Sequence, residues 1–405
     1  MKTMEMNKLI FEEAKKILPE MISTRRALHK NPETGFDLEH TVPLVLKKLT
    51  EMGYEPKRCG KAGVVATIGD GGKTFLLRGD MDALPILEDT DLDFKSTNGK
   101  MHACGHDTHT TMLLGAAQLL KNHEDEINGT VKLMFQPAEE IMLGASDMIK
   151  AGVLENPHVD AGMMIHIMPG LPMDDGTLLV ANKGKALSSC DWFEIELFGK
   201  NGHGSMPQNA IDPIIPASNI HLALMEIQTR ELPADALVAL TVGEFHAGNT
   251  SNVIPETAIL KGTLRTYDDD MRVDIKERMT EIAESIAKAY RCKAETRFLA
   301  GAPTLVNDPE IVDHAEKILP AVVGEGKVIA FSDLPNMGVQ MGSEDFAYVS
   351  HEIPSVLIGL AAADSRLSEP YPVHHPKLVV NEAILPYGVA AHVSMALSWL
   401  NDHHE

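Results

Sequence analysis

Short apolar runs and amphipathic stretches alternate along the first part of the chain. Apolar residues recur at helical spacing over 6–30, 108–122 and 145–151, which predicts three helices that face a core. Near-continuous apolar runs bounded by turn residues predict buried strands at 63–68, 74–78, 130–136 and 161–165. Because strands and helices alternate, we expect an α/β domain whose mostly parallel sheet carries helices on both faces.

The pattern changes after about Lys185. Residues 189–199 alternate between polar and apolar side chains, which is typical of a strand with one exposed face. The elements predicted after it are a helix at 213–230, strands at 236–246 and 253–266, a helix at 269–290 and a strand at 293–298. This order of strand, helix, strand, strand, helix, strand is the ferredoxin-like α+β arrangement. Strand–helix alternation then resumes and ends in a helix near 382–401. The sequence therefore predicts two domains, one made of 1–186 and 300–405, the other inserted at 187–299.

Composition narrows the possible partners and the compartment. The net charge of −22 argues against a nucleic-acid or anionic-membrane partner. No apolar run approaches the length of a membrane span, and the charged, amphipathic N-terminus does not resemble a signal peptide. Four scattered cysteines fit a reducing compartment. We therefore expect a cytoplasmic protein whose partner is a small molecule.

Polar motifs follow three of the predicted strands. R-G-D-M-D begins at the end of strand 74–78, P-A-E-E follows strand 130–136, and His166 follows strand 161–165. In open α/β sheets, ligands bind beyond the carboxyl ends of the strands. A fourth motif, M-H-A-C-G-H-D-T-H, leads into the helix predicted at 108–122. We expect these motifs to meet at one edge of the sheet.

The residue types in these motifs favour a metal-dependent hydrolase. Zinc- and manganese-type sites take three or four N, S or O ligands and keep one position open. A hydrolase also needs a carboxylate that is not a ligand, to take a proton from water. Adjacent glutamates point in different directions, so this chain can supply a ligand and a base side by side. The candidate residues are Cys104, His106, Glu139, Glu140 and His166.

Other interpretations of these residues stay open at this point. Cys104 could be a buried structural cysteine or a nucleophile paired with a histidine, although the nucleophile leaves Glu139 and Glu140 without a role. The glycine-rich turn around His203 could be a simple hairpin. Arg265 lies on a strand pattern, where an arginine is usually solvated, yet it is also a natural bidentate clamp for a carboxylate.

The motifs together resemble one family over almost the whole chain. R-R-A-L-H-K-N-P-E-T-G-F, R-G-D-M-D-A-L-P-I, H-A-C-G-H-D-x-H, Q-P-A-E-E, G-H-G-S-x-P, N-V-I-P-E, G-T-x-R-T, M-x-S-E-D-F and H-H-P-K occur in order. The chain resembles the amidohydrolase branch of the dinuclear metallo-aminoacylase and carboxypeptidase superfamily. That branch includes hippurate hydrolases, auxin-conjugate hydrolases and N-acetyldiaminopimelate deacetylases. The resemblance implies a metallopeptidase-like catalytic domain with an inserted lid and dimerisation domain.

The resemblance also implies a set of ligands for two divalent ions. Cys104 matches the residue that bridges the ions. His106 and His166 match ligands of one ion, and Glu140 and His374 match ligands of the other. Mn²⁺ or Zn²⁺ is expected, and a thiolate bridge also tolerates Co²⁺ or Ni²⁺.

Further roles follow from the same resemblance. Glu139 matches the general base, and Asp80 resembles a carboxylate that orients a ligand imidazole. His203 matches a histidine that crosses a dimer interface and stabilises the oxyanion in the partner's site. Asn252 and Arg265 resemble groups that hold the carboxylate of the substrate. A homodimer or larger assembly is therefore expected.

The expected activity is metal-dependent hydrolysis of the amide bond of an N-acyl amino acid, with an acetyl, benzoyl or similar acyl group. The alternatives are a dipeptidase or carboxypeptidase acting on short peptides and, more remotely, an inactive ligand-binding module. The chain departs from the family motifs at Thr108, at Asn201 and at the segment Ile141-Met142-Leu143. The last departure replaces a glycine-rich run directly after the glutamate pair and bears on the choice of acyl group.

Overall fold

The computed structural model describes residues 2–171, 173–333, 341–363 and 370–404. The chain divides into two compact units. The larger unit comprises Met1–Ala186, Val306–Gly338 and Asp345–Glu405, and the smaller comprises Leu187–Leu305 and Val339–Glu344.

Helices and strands alternate through most of the described chain. In chain order they are α1 (Lys2–Lys16), α2 (Leu18–His29), α3 (Thr41–Glu51), β1 (Lys57–Cys59), β2 (Gly63–Gly69), β3 (Thr74–Asp80), α4 (His106–Asn122), β4 (Thr130–Gln136), α5 (Gly144–Lys150), β5 (Ala161–Met168), β6 (Leu178–Val180), β7 (Gly184–Leu187), β8 (Cys190–Phe198), β9 (Gly202–His203), α6 (Ile214–Glu226), β10 (Val238–Ala247), β11 (Val253–Ile254), β12 (Thr257–Thr266), α7 (Asp269–Ala289), β13 (Lys293–Ala302), β14 (Leu305–Asn307), α8 (Pro309–Val323), β15 (Val328–Ala330), α9 (Ala347–Glu352), β16 (Ser355–Ala361) and α10 (Leu385–Asp402).

The larger unit is built on an eight-stranded sheet in the order β1-β2-β4-β3-β5-β16-β6-β15. Its central strands β4, β3, β5 and β16 run parallel, and antiparallel pairs join β2 to β4 and β6 to β16. Every residue of β3 and of β4 is buried, as expected for strands covered on both faces. The predicted α/β class is confirmed.

The smaller unit contains a four-stranded antiparallel sheet in the order β10-β12-β8-β13. Helices α6 and α7 pack against it, and their apolar residues form a separate core with Phe193, Ile195 and Leu260. The chain order β8, α6, β10, β12, α7, β13 with this strand order is the ferredoxin-like topology. The predicted class of this unit is confirmed.

Two predicted elements are broken where a proline interrupts the backbone pattern. The helix predicted over 6–30 is two helices, because Pro19 sits in the first turn of α2 and cannot donate the backbone hydrogen bond that a continuous helix needs. The strand predicted over 253–266 is likewise two strands, β11 and β12, with Pro255 between them. Helix α3 lies outside the segments that the pattern predicted as helical.

The C-terminal helix contradicts the expectation that no apolar run approaches the length of a membrane span. Among the described residues, one helix, Glu382–Asp402, is long and apolar enough to cross a membrane. However, 89% of its most apolar window is buried inside the protein. It packs against α1, α4 and α8, so contacts within the core account for its apolar character.

A buried lysine lies near the start of β4, at the opposite end of that strand from the glutamate pair. Lys132 lies on β4 and is 2% exposed. Its ammonium group donates to the backbone carbonyls of Val153, Glu155 and Pro157 at 2.9, 2.9 and 2.7 Å. Burial lowers its pKa to about 8. One side chain therefore satisfies three carbonyls of the segment that leads into β5.

We expect Lys132→Met to destabilise the larger unit by about 3 kcal/mol, because three shielded carbonyls lose their donor. The matched control is Lys47→Met, whose side chain is 76% exposed and which should change stability by less than about 0.5 kcal/mol. Urea unfolding followed by circular dichroism measures both variants. Equal midpoints for the two variants would contradict the role of Lys132.

Candidate metal centre

The turn that carries Cys104 and His106 is shaped by the glycine between them. The N–H of Gly105 donates to the carbonyl of His102 at 3.2 Å, and Gly105 has a φ of 87° directly before α4. A Cβ at this position would lie 2.2 Å from the side chain of Ile167. Only glycine meets both constraints, so the motif C-G-H sets the positions of the thiol and the imidazole.

The glutamate pair lies in a second tight turn, directly after β4. Ala138 and Met142 flank the pair with positive φ values of 56° and 55°, which non-glycine residues adopt only when their surroundings hold them. The carboxylate of Asp82 accepts the N–H of Glu139 at 3.0 Å and that of Glu140 at 3.2 Å. Asp345 accepts the N–H of Ala145 at the other end of the turn. Two buried carboxylates thus hold the turn in its strained conformation.

These turns bring the predicted donor atoms together with those of β5 and the H-H-P-K segment. Cys104 Sγ lies 3.4 Å from His166 Nε2, and His106 Nε2 lies 3.8 Å from an oxygen of Glu139 and of Glu140. The other oxygen of Glu140 lies 3.5 Å from His374 Nε2. Two groups have donor atoms within 4.8 Å of one another and share the thiol: Cys104, His106 and His166, and Cys104, Glu140 and His374.

The two adjacent histidines of the H-H-P-K segment point to different surroundings. His374 adopts a positive φ of 67° and donates its N–H to the carbonyl of Ala103 at 2.7 Å, which places its ring beside Glu140. The ring of His375 instead stacks on Tyr371, with centroids 4.3 Å apart. The structure therefore places His374, and not His375, at the donor cluster.

Backbone carbonyls fix the orientation of two of the rings. His106 Nδ1 donates to the carbonyl of Asp82 at 2.9 Å, and His166 Nδ1 donates to that of Ile167 at 2.7 Å. Each ring then presents its Nε2 to the cluster. His106 Nε2 is buried and has no hydrogen-bond partner among the residues that the structure describes. A buried nitrogen lone pair without a donor is what a metal ligand requires.

Asp80, predicted to orient a ligand ring, contacts a different imidazole. Its Oδ1 accepts from His109 Nδ1 at 2.7 Å, and its Oδ2 accepts from Arg78 at 2.5 Å. The second nitrogen of His109 accepts the N–H of Ile167. Asp80 Oδ2 lies 3.6 Å from His106 Nε2 without a hydrogen bond. Asp80 therefore orients His109, which in turn supports the strand that carries His166.

Sequence reasoning missed Asp82 and His109. Asp82 contacts Glu139, Glu140 and His106, and His109 is 1% exposed beneath the cluster. Both residues lie inside motifs that the sequence presents, R-G-D-M-D and H-D-T-H. The spacing within each motif did not show which of its residues contacts the imidazole rings of His106 and His166.

Two of the three imidazoles favour the neutral form, whereas Asp80 outweighs burial and raises the pKa of His106, so a bound cation must displace a proton from that ring. Burial lowers the pKa of His166 to about 3 and that of His374 below its usual value, so both rings are neutral. Burial and the nearby Glu140 raise the pKa of Cys104 well above its usual value. A bound divalent ion removes the proton from a coordinating thiol outright and needs neutral imidazoles. The thiol, imidazole and carboxylate donors fit zinc or manganese.

The three remaining predicted site residues lie in the smaller unit. His203 pairs with Val253 across the β9–β11 ribbon, and the N–H of Gly204 donates to the carbonyl of Asn252 at 2.8 Å. His203 is exposed, and its Nδ1 accepts from the N–H of Ser205 at 3.1 Å, so Nε2 carries the ring proton. Arg265 lies on β12 and donates to Thr263 at 3.2 Å. The ribbon brings His203 and Asn252 together, and Arg265 lies on the four-stranded sheet.

Comparison with known proteins identifies relatives along almost the whole chain. A family model described as peptidase family M20/M25/M40 matches residues 76–398. The chain is 37% identical over 388 residues to an IAA-amino acid hydrolase (ILR1-like 4) of Arabidopsis thaliana, with 94% of this chain and 86% of that protein covered. It is 36% identical over 390 residues to thermostable carboxypeptidase 1 of Saccharolobus solfataricus, with 94% and 95% covered. It is also 35% identical over 370 residues to an N-acetyl-L-cysteine deacetylase of Bacillus subtilis, with 90% and 85% covered.

A solved structure agrees with these relatives. A Bacillus subtilis protein described as a dinuclear metal binding peptidase from M20 family superposes with a TM-score of 0.75 and 33% identity, over 96% of this chain and 99% of that chain. The resemblance drawn from the motifs and the assignment to a hydrolase family are confirmed, and the chain belongs to peptidase family M20/M25/M40.

Proposed function

We propose that the protein hydrolyses the amide bond of N-acyl amino acids at a site for two divalent ions. The observation that carries this proposal is the pair of donor groups that share Cys104. His106 and His166 complete one group, and Glu140 and His374 complete the other. Two relatives whose names specify amino acid conjugates, the IAA-amino acid hydrolase and the N-acetyl-L-cysteine deacetylase, support the substrate class.

The five donor residues would hold the ions, with Cys104 between them. When bound, divalent ions polarise a carbonyl group and increase the acidity of a water molecule at neutral pH. Mn²⁺ or Zn²⁺ is our expectation from the mixed sulfur, nitrogen and oxygen donors.

Glu139 is the general base in this proposal. Its side chain is buried beside Glu140, and its backbone N–H is fixed by Asp82. It takes a proton from the attacking water and later gives a proton to the leaving amine. The adjacent Glu140 lies between His106 and His374, so the two carboxylates divide into base and ligand.

The smaller unit supplies the groups that bind the rest of the substrate. The Nε2–H of His203 donates to the oxyanion that forms on the amide carbonyl, in the site of a partner subunit. Asn252 and Arg265 bind the carboxylate of the amino acid, for which a guanidinium is the natural partner. The protein therefore acts as a homodimer or a larger assembly, and closure of the smaller unit over the substrate is part of turnover.

The carboxypeptidase relative favours a second candidate, hydrolysis of short peptides. The two activities share one chemistry and differ in the group on the acyl side of the scissile bond. Ile141, Met142 and Leu143 are half-buried directly after the glutamate pair. We propose that they form an apolar wall that favours a compact or aromatic acyl group over a peptide.

We expect metal-dependent release of free amino acid from N-acetyl, N-benzoyl or indole-acetyl amino acids, and slower release from dipeptides. An amine-release assay on this panel, run with chelator and with added Mn²⁺ or Zn²⁺, measures it. Dipeptides cleaved faster than every acyl amino acid would favour the peptidase. Absence of release with any metal would favour a binding module, and activity that survives chelation would favour a cysteine nucleophile.

We expect Glu139→Gln to retain both metal ions but to lower kcat by about 100- to 10,000-fold, because the base is lost while the ligands remain. Glu140→Gln is the matched variant and should lose metal affinity as well as activity. Metal content by elemental analysis and kcat by the amine assay distinguish the two variants. Substantial activity in the Glu139 variant would disprove the assigned base.

The role of His203 in the partner's site predicts complementation between inactive variants. We expect His203→Ala and Glu139→Gln proteins to be nearly inactive alone and to regain activity when their subunits are exchanged. A mixed dimer then has one site that carries both lesions and one site that carries neither. If His203 acts within its own subunit, every mixed site carries one lesion and the mixture stays inactive.

A further inference from the structure

A second cluster of charged side chains is buried behind the metal-binding turn. Apart from Asp107, which follows His106, its members come from segments that the proposed mechanism does not use, including the R-R-A-L-H-K-N-P-E motif near the N-terminus. All four are buried. They are Arg25 and His29 of α2, Glu88 of the segment after β3, and Asp107 of α4.

His29 lies between two carboxylates. Its Nδ1 is 2.8 Å from an oxygen of Asp107, and its Nε2 is 3.2 Å from an oxygen of Glu88. Ionised carboxylates only accept hydrogen bonds, so each ring nitrogen must donate a proton. Arg25 Nη2 also lies 3.2 Å from Nδ1, but a neutral Nδ1 facing Arg25 would place its lone pair against Asp107 at the shorter distance. The geometry requires an imidazolium.

The electrostatic surroundings agree with the geometry. Burial and the Arg25 guanidinium both oppose a second proton on His29, but Asp107 and Glu88 outweigh them and raise its pKa. His102, whose ring lies 6.4 Å away, is kept neutral because burial lowers its pKa to about 3. Phe94 covers another side of the ring.

Asp107 connects this charge to the metal-binding turn. It follows His106 in the first turn of α4, and its second oxygen accepts the N–H of Thr108 at 2.9 Å. Arg25 donates to the same oxygen that His29 contacts, at 2.8 Å. Two cations, Arg25 and His29, therefore bind the carboxylate of Asp107 and fix the start of α4. The C-G-H turn directly before this carboxylate is fixed with it.

Glu88 connects the same charge to the segment that follows β3. Its second oxygen accepts the N–H of Ser96 at 2.7 Å, and Thr90 donates to the oxygen that faces His29. This segment begins directly after Asp82, whose carbonyl orients the His106 ring. His29 thus joins two segments that each fix the position of His106.

We propose that His29, as a permanent buried imidazolium, is a positioning residue for the metal-binding turn Cys104–His106. It contacts no proposed ligand, substrate group or reacting atom, and it acts through Asp107 and Glu88. The inference rests on the proposed metal site.

The test measures metal affinity and does not depend on catalysis. We expect His29→Gln to bind Zn²⁺ about 10- to 100-fold more weakly than the wild-type protein, in competition with a chromophoric chelator. His314→Gln is the matched control, because it also removes a buried imidazole and its hydrogen bond, here to Ser398. The control should keep the wild-type affinity even if its thermal midpoint falls by the same amount. Equal affinity of both variants would overturn the positioning role.

A second measurement covers the case in which His29→Gln does not fold. His123 also lies between two carboxylates, those of Glu13 and Glu126, so the measurement uses a His123→Gln background. In Zn²⁺-loaded protein of this background labelled with ¹⁵N-histidine, we expect one histidine with both ring nitrogens protonated at about pH 8, where an ordinary histidine is neutral. Glu88→Gln should remove a ring proton from that histidine and weaken Zn²⁺ binding by a smaller factor. Loss of neither the proton nor affinity in this variant would overturn the proposal. Failure of the wild-type protein itself to bind Zn²⁺ would instead disprove the metal site.

Discussion

One fully buried aspartate holds the parts of the proposed active site in register. The carboxylate of Asp82 accepts the backbone N–H groups of Glu139 and Glu140, and its carbonyl accepts the ring proton of His106. These contacts join the segment after β3, the turn after β4 and the start of α4. Because an unpaired buried carboxylate is costly, the turn stays closed on Asp82 even though two of its residues adopt left-handed conformations. Base and ligands therefore keep fixed positions before any ion or substrate arrives.

Charge compensation is the second constraint on this region. The larger unit buries many ionisable groups around the donor cluster, and the carboxylates of Asp80, Asp82 and Asp107 there meet a cation or a backbone donor. Although burial opposes ionisation, the Arg78 guanidinium and the hydrogen bond from His109 hold the pKa of Asp80 well below its usual value. Asp107 is ionised for the same reason, since Arg25 and His29 offset the effect of its burial. Such networks are stable only when each member is satisfied, and this requirement links the N-terminal helix α2 to residues more than seventy positions away.

In the proposed function, substrate choice depends on different residues from those that would hold the metal ions. The donors occupy the carboxyl edge of the sheet, where strand and helix termini fix them rigidly. In contrast, Ile141, Met142 and Leu143 occupy a loop that is only half-buried, and His203, Asn252 and Arg265 belong to the smaller unit. The proposed function thus assigns amide cleavage and substrate recognition to different residues, which is consistent with relatives that share the family and differ in the substrates named for them.

The pattern of the sequence predicts both fold classes, and its motifs predict the donor residues. Strand–helix alternation is a local pattern, and the rule that ligands lie beyond the carboxyl ends of parallel strands converts that pattern into a shared position for Glu139, Glu140 and His166. The motif before α4 indicated Cys104 and His106, and the family resemblance indicated His374. Periodicity did not show that the chain is interrupted near Pro19 and at Pro255, where the structure has two separate elements in place of one. The tertiary structure shows that Asp82 and not Asp80 orients His106, that His29 lies between two distant carboxylates, and that a left-handed backbone conformation turns His374 towards the cluster. These outcomes depend on contacts between residues far apart in sequence and on single backbone angles, such as the positive φ of His374, which no local pattern of polar and apolar residues encodes.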